Sequence, residues 1–236
     1  MNEKRLNRLA GCSVATISTA LFKRGLRNQC IQNVHRMNPG SGSMVGPAFT
    51  LRYIPAREDR NPISVFENRD HPQRKAVEEC PPGAVMVIDC RNDPRAASAG
   101  SILVTRMQVR GCAGIVTDGG FRDFPEISEL KIPAYHQHPS SLTNLTHHEA
   151  IEIDGPIACG DVAVFPGDIV VGDAEGVVVI PLEMVADIAE EAERMTEFEN
   201  FVIERVKQGH SILGLYPATD PKYQADFEAW KSQRES

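Results

Sequence analysis

The sequence predicts an α/β fold in which central β-layers carry flanking helices. Three observations lead there. Residues 84–89 form an unbroken apolar run closing on Asp89, the pattern of a strand buried on both faces. Residues 115–117 form a second short β-type run that stops at Asp118-Gly-Gly. Residues 182–207 place Val185, Ile188, Ala192, Met195, Val202 and Val206 at three- and four-residue steps, the stripe of a long amphipathic helix.

Size and composition fit that class. The chain has 236 residues, 42% hydrophobic and 24% charged, enough for one large domain with a real core. We expect a single domain over 1–216 and a polar C-terminal arm over 217–236, lying on the body or on a neighbouring subunit. A net charge of −7 without a basic run argues against nucleic-acid binding. Six cysteines lie apart without a Cys-x-x-Cys pair, so neither a zinc finger nor a disulfide framework is expected. No stretch approaches the roughly 18 apolar residues of a membrane span. The expected setting is a reducing cytoplasm.

In chain order, residues 4–24 predict two helical pieces around Gly11, the second capped by Ser13 and stopped at Gly25. Asn38-Pro-Gly-Ser-Gly is a loop lacking the Lys-Ser/Thr of a phosphate-binding P-loop. Residues 44–54 predict a strand, and 61–79 a partly helical stretch broken near Pro72. After the buried strand at 84–89, a loop reaches Ala97-Ser-Ala-Gly-Ser, where small residues permit close approach of backbone or ligand. A helix over about 101–110 follows. Its free N–H groups and positive dipole end offer a seat for a carboxylate, although a plain serine cap reads the same way.

Next comes the turn 118–120, expected to need positive φ, followed by Arg122 and Asp123. Ligand sites of α/β proteins collect at the carboxyl ends of strands. The alternative is a surface ion pair beside an N-cap carboxylate. A short helix to about 130 and a strand near 132–135 come next. Short strands between Gly, Pro and Asp turns over 151–181 predict a compact β-layer or barrel. Glu199 falls inside the apolar stripe of the last long helix, where a carboxylate needs a partner.

His136, His138, His147 and His148 are weighed as a zinc or iron site against exposed loop histidines, and no metal spacing links them. There is no Gly-x-Ser-x-Gly elbow and no Gly-x-Gly-x-x-Gly turn, so serine-hydrolase and dinucleotide readings lack an anchor.

Several stretches in order resemble the RraA-like family, which includes 4-hydroxy-4-methyl-2-oxoglutarate aldolases. They are Thr16-Ile-Ser-Thr-Ala-Leu, Val45-Gly-Pro-Ala-Phe-Thr, Pro82-Gly-Ala-Val-Met-Val-Ile-Asp, Gly100 with Arg110-Gly-Cys-Ala-Gly-Ile-Val-Thr-Asp-Gly-Gly-Phe-Arg-Asp, and Pro166-Gly-Asp-Ile-Val-Val-Gly-Asp-Ala-Glu-Gly. The resemblance implies a swivelling β/β/α domain assembled as a homotrimer or a homohexamer. It implies a metal-dependent lyase acting on a small-molecule 2-oxo acid, by retro-aldol cleavage to pyruvate or by oxaloacetate decarboxylation.

Under that resemblance Asp123 would hold a divalent metal, Mg²⁺ or Mn²⁺, largely through waters. Arg122 would bind the keto oxygen and developing enolate. Gly100 and the N–H groups of Ser101, Ile102 and Leu103 would seat the substrate carboxylate. Glu199 of the partner subunit would help hold the metal's waters. Two positions depart from the family pattern: Ser101 stands where many aldolases carry an acidic residue, and Thr19 replaces an aspartate. The alternative function is a non-catalytic, protein-binding regulator resembling the ribonuclease E inhibitor.

Overall fold

The protein is described here by a computed structural model covering residues 3–234. The chain begins with α1 (Glu3–Ala10) and α2 (Val14–Lys23), then β1 (His35–Arg36) and the long β2 (Met44–Pro55). A 3₁₀ turn over Ile63–Glu67 precedes α3 (Pro72–Glu79), β3 (Val85–Asp89), β4 (Ala97–Ala99) and α4 (Ser101–Val109). Then come β5 (Gly114–Thr117), β6 (Gly120–Phe121), α5 (Phe124–Ser128), β7 (Ala134–His136) and β8 (His138–Pro139). A 3₁₀ turn over Asn144–Thr146 leads into β9 (His148–Ile153), β10 (Ile157–Cys159), β11 (Val162–Val164), β12 (Ile169–Gly172) and β13 (Val177–Ile180). The chain closes with α6 (Val185–Lys207) and α7 (Pro221–Arg234).

The local signals explain these bounds. Ser13 Oγ accepts the Thr16 N–H at 3.0 Å and so caps α2, and Gly25 ends it at φ 87°. Pro72 starts α3, where its missing N–H costs nothing. Gly209 follows α6 at φ 93°.

The main sheet runs β1-β7-β5-β3-β2-β12-β13, with β9 also on β2. Its middle, β2-β3-β5-β7, is parallel. The 12 residues of β2 decide the architecture. Its first half pairs with β12 and its second half with β9, both antiparallel. The expected β-layer over 151–181 is therefore not a barrel of its own. β12 and β13 lengthen the main sheet, β9 joins it, and only β10-β11 stands apart as a hairpin. One core fills the space between the sheet and α3, α4 and α5, a second lies under the β10-β11 hairpin, and a third joins α1, α2 and α6 to β12 and β13. Every residue of β3 is buried, as its continuous apolar run requires.

A fourth, smaller cluster seats α7 on α6 through Phe198, Phe201, Phe227 and Trp230. Trp230 Nε1 also donates to Glu204 at 2.7 Å. Among the described residues no helix is long and apolar enough to cross a membrane.

Candidate active site at the β4 and β6 ends

A small parallel sheet, β4-β6-β8, positions the site. β4 and β6 are neighbours, with Ala97 opposite Gly120 and Ala99 opposite Phe121, so their carboxyl ends bring Gly100 and Arg122 together. The Arg122 N–H donates to the Ala99 carbonyl at 3.1 Å and locks that register.

Asp123 follows at φ 58° and ψ 47°, a left-handed conformation that aspartate tolerates better than most residues. From there its Oδ2 accepts the Ser101 N–H at 3.0 Å and the Ser101 hydroxyl at 3.2 Å. Its Oδ1 lies 3.3 Å from Arg122 Nε. Partial burial pushes the Asp123 carboxyl up, but the Ser101 N–H and the Arg122 charge outweigh it, and the group sits below its ordinary value. Asp123 is ionised at neutral pH.

Gly100 is needed for space. A Cβ there would meet Asp123 Oδ2 at 2.6 Å and Arg122 Cγ at 2.9 Å. The same reason, and not positive φ, accounts for the turn at Gly119 and Gly120. Neither has positive φ; a Cβ would run into Cys90 at 2.7 Å and Ser140 at 2.8 Å respectively. The left-handed residue of this segment is Asp123 itself.

The N-terminus of α4 has one open donor of the three expected. The Ser101 N–H is taken by Asp123 and the Leu103 N–H by the Gly100 carbonyl at 3.1 Å. Among the described residues the Ile102 N–H has no acceptor. Gly100, Ile102, Leu103, Arg122 and Asp123 line a pocket of about 390 Å³ together with Phe66, Gln73, Arg74 and Asn144, whereas Ser101, turned to Asp123, does not line it. Nothing in the sequence ties residues 66–74 or 144 to Arg122. They arrive through a 3₁₀ turn, α3 and a second 3₁₀ turn, and only the fold joins them.

Glu199 lies elsewhere in the same chain. It accepts the Thr16 hydroxyl at 2.8 Å, on the face where α6 packs against α2. That bond satisfies the carboxylate in the apolar stripe, and Glu199 does not line the pocket of its own chain.

Among the described residues no three His, Cys, Asp or Glu side chains gather as a metal cage. The oxygen donors beside Arg122 are the Asp123 carboxylate and the Ser101 hydroxyl. That set fits a hard cation that keeps most of its waters, and it does not fit zinc or iron. Two of the four histidines are not exposed loop residues, whereas His138 is exposed and His147 lies in a turn. His136 is buried in β7 and stacks on Phe121 and Phe124, while His148 is buried in β9 against Tyr53. Burial lowers both imidazoles to about 4, with His138 and His35 adding to the effect on His136 and Arg91 on His148.

Residues 14–179 match the family model described as RraA-like: Aldolase/RraA. A Halalkalibacterium halodurans protein provisionally named 4-hydroxy-4-methyl-2-oxoglutarate aldolase is 35% identical over 120 residues, covering 51% of this chain and 57% of its own length. The chain thus spans little more than half of that relative. A Burkholderia mallei protein with the same provisional name is 30% identical over 151 residues, 63% of this chain and 82% of its own. Streptomyces coelicolor RraAS2, described as an unusual member of the RNase ES inhibitor RraA protein family, superposes with a TM-score of 0.75 at 28% identity. That match covers 85% of this chain and 96% of RraAS2.

Proposed function

Because this chain belongs to the RraA-like family, we propose that it is a divalent-metal-dependent lyase acting on a small 2-oxo acid. One observation carries the reading. An arginine and an ionised aspartate sit side by side at the open N-terminus of α4, inside a small pocket.

Each group has a task in cleaving the bond between C3 and C4 of a 4-hydroxy-2-oxo acid. The Ile102 N–H and the positive end of α4 seat the substrate's carboxylate. Arg122 places a fixed positive charge where the enolate oxygen develops as the bonding pair moves toward C2. The 4-hydroxyl proton passes to water, C4 becomes a carbonyl, and a proton delivered from water to C3 of the enolate gives pyruvate. Oxaloacetate could lose CO₂ into the same electron sink. Asp123, with the Ser101 hydroxyl beside it, would hold the Mg²⁺ or Mn²⁺. When bound, that cation would supply Lewis-acid polarisation of the keto oxygen. Ser101, lacking a carboxylate, makes the chain's own contribution weaker than in relatives with an acid there.

The reading includes a homotrimer or homohexamer in which Glu199 of the partner subunit approaches Asp123. Light scattering showing a monomer would remove that part. Pyruvate release from a panel of 4-hydroxy-2-oxo acids and oxaloacetate tests the whole: release should need Mg²⁺ or Mn²⁺ and stop with EDTA. Undiminished release in EDTA, or none from any substrate, would sink it. The likeness to an RNase inhibitor family member and the net charge of −7 support a second reading, a regulator that binds a basic protein segment. A pull-down from lysate that retains no ribonuclease or helicase counts against it.

A further inference from the structure

The pocket holds a second arginine that the proposed chemistry leaves unused. Arg74 projects from α3 and lines the same cavity as Arg122. Its guanidinium lies 4.3 Å from the centre of the Phe66 ring, which fixes it by a cation–π contact. It is only partly exposed, and among the described residues no carboxylate pairs with it.

The nearby acids are committed to other cations. Glu78 is held by Arg106 at 2.8 Å and Arg110 at 3.8 Å. Asp70 and Glu79 are both held by Lys75, at 3.6 and 3.8 Å. A half-buried arginine that stands apart from three neighbouring carboxylates is a cation with an unmet demand. A surface arginine with ordinary solvation would more commonly share one of them.

A second feature of the same wall points the same way. Asn144 is buried, lines the pocket, and its Nδ2 donor has no partner. A buried donor left unpaired is costly unless a ligand or water meets it. Gln73 also lines the pocket; its Nε2 is fixed on the Ser98 carbonyl at 2.7 Å, leaving its Oε1 unpaired. That oxygen would repel an anion placed on it, so the favourable corner lies between Arg74 and Asn144. At about 390 Å³ the pocket is near the small end of ligand cavities, which suits an acid of a few carbons.

We infer that Arg74, supported by Asn144, is a specificity-determining residue that binds a second carboxylate at the far end of the 2-oxo acid. The inference rests on the lyase reading for where the near end sits. It adds which residues of this chain read the far end, and that through them a neutral-tailed 2-oxo acid is discriminated against here. A guanidinium that loses its partner carboxylate on binding the wrong substrate discriminates by more than a missing methylene does.

A binding comparison tests this without needing turnover. 2-Oxoglutarate and 2-oxopentanoate share a chain length and differ in whether the far end is a carboxylate or a methyl group. Calorimetry on the full chain with Mg²⁺ should show 2-oxoglutarate binding tighter, on the order of ten- to a hundredfold. In Arg74→Met, which keeps the stem against Phe66, that ratio should fall to near one with the melting temperature held. Arg74→Lys should give an intermediate ratio, and it serves as the test if the methionine variant does not fold. A wild-type ratio near one, or a ratio unchanged in either variant, overturns the inference. Pyruvate release without this preference would sink the Arg74 assignment alone. The preference without pyruvate release from any candidate would keep the assignment and sink the lyase reading.

Discussion

Asp118 and Asp123 lie five residues apart, on either side of β6, and have opposite fates. Asp118 is fully buried and accepts three backbone N–H groups, from Cys90 at 2.5 Å, Asn92 at 2.9 Å and Gly160 at 3.2 Å. Burial raises it to about 6 in spite of those bonds, with Asp89 adding to the rise. Asp123 is about a third exposed along its side chain and is held below its ordinary value by Ser101 and Arg122. The first carboxylate ties three segments of backbone together. The second leaves oxygen and charge facing a pocket. Each accepts three donors from its own chain, so neither residue type nor bond count separates the two; what separates them is that Asp118 is sealed in the core while Asp123 stays open to the pocket.

The contrast can be broken from either side. The largest expected effect is Arg122→Ala, which should lower pyruvate release by about a hundredfold or more while leaving the melting temperature within a few degrees. Gly100→Ala comes next. Its Cβ would push on both Asp123 and Arg122, and an activity loss on the order of tenfold to a hundredfold is expected with the fold intact. An active Gly100→Ala enzyme would show that the close approach at residue 100 is idle.

Asp118→Ala should do the reverse. Three buried N–H groups lose their acceptor, a cost of about 2–4 kcal/mol that lowers the melting temperature by roughly 5–15 °C. Activity per folded molecule should change little.

Acid sharpens the comparison further. The folded Asp118 pKa is about 6, above its unfolded value, so the stability it contributes is present below about pH 4 and is lost as pH rises through 6. His136 and His148 work the other way. Their folded pKa values are about 4, so their stability is present above about 6.5 and is lost as pH falls toward 4. Two histidines oppose one aspartate between pH 4 and 6, so melting temperature should fall on acidification from pH 7 to 5. Asp118→Asn removes the opposing contribution, and its acid loss should be steeper. A flat profile in both proteins would contradict the burial argument.

Smallest is Trp230→Ala, which strips one ring and a hydrogen bond to Glu204 from the α6–α7 contact. Roughly 1–3 kcal/mol of stability should go, with no change in pyruvate release.

Much of this was legible in the sequence where one physical cause acts locally. The apolar run of β3, the Ser13 cap and the stripe of α6 each declare themselves within a few residues. Arg122, Asp123 and Gly100 were readable as a group because short β-α steps bring strand ends together. Other features depend on space or on distant segments. Gly119 and Gly120 look like positive-φ glycines, but their requirement is a missing Cβ against Cys90 and Ser140. His136 and His148 look like loop residues because prolines surround them, yet both lie in strands and face the core. The occupation of the Ser101 and Leu103 N–H groups, and the arrival of Arg74 and Asn144, follow from side-chain and tertiary geometry that no spacing encodes.

Asp123→Asn tests the division between the two acids most directly. It keeps the shape and one acceptor for the Ser101 N–H while removing the charge. Pyruvate release by the purified variant with Mg²⁺, read beside its melting temperature, should drop by about a hundredfold or more at nearly unchanged stability. Wild-type activity in Asp123→Asn, or a loss that only follows unfolding, would place the chemistry somewhere other than this turn.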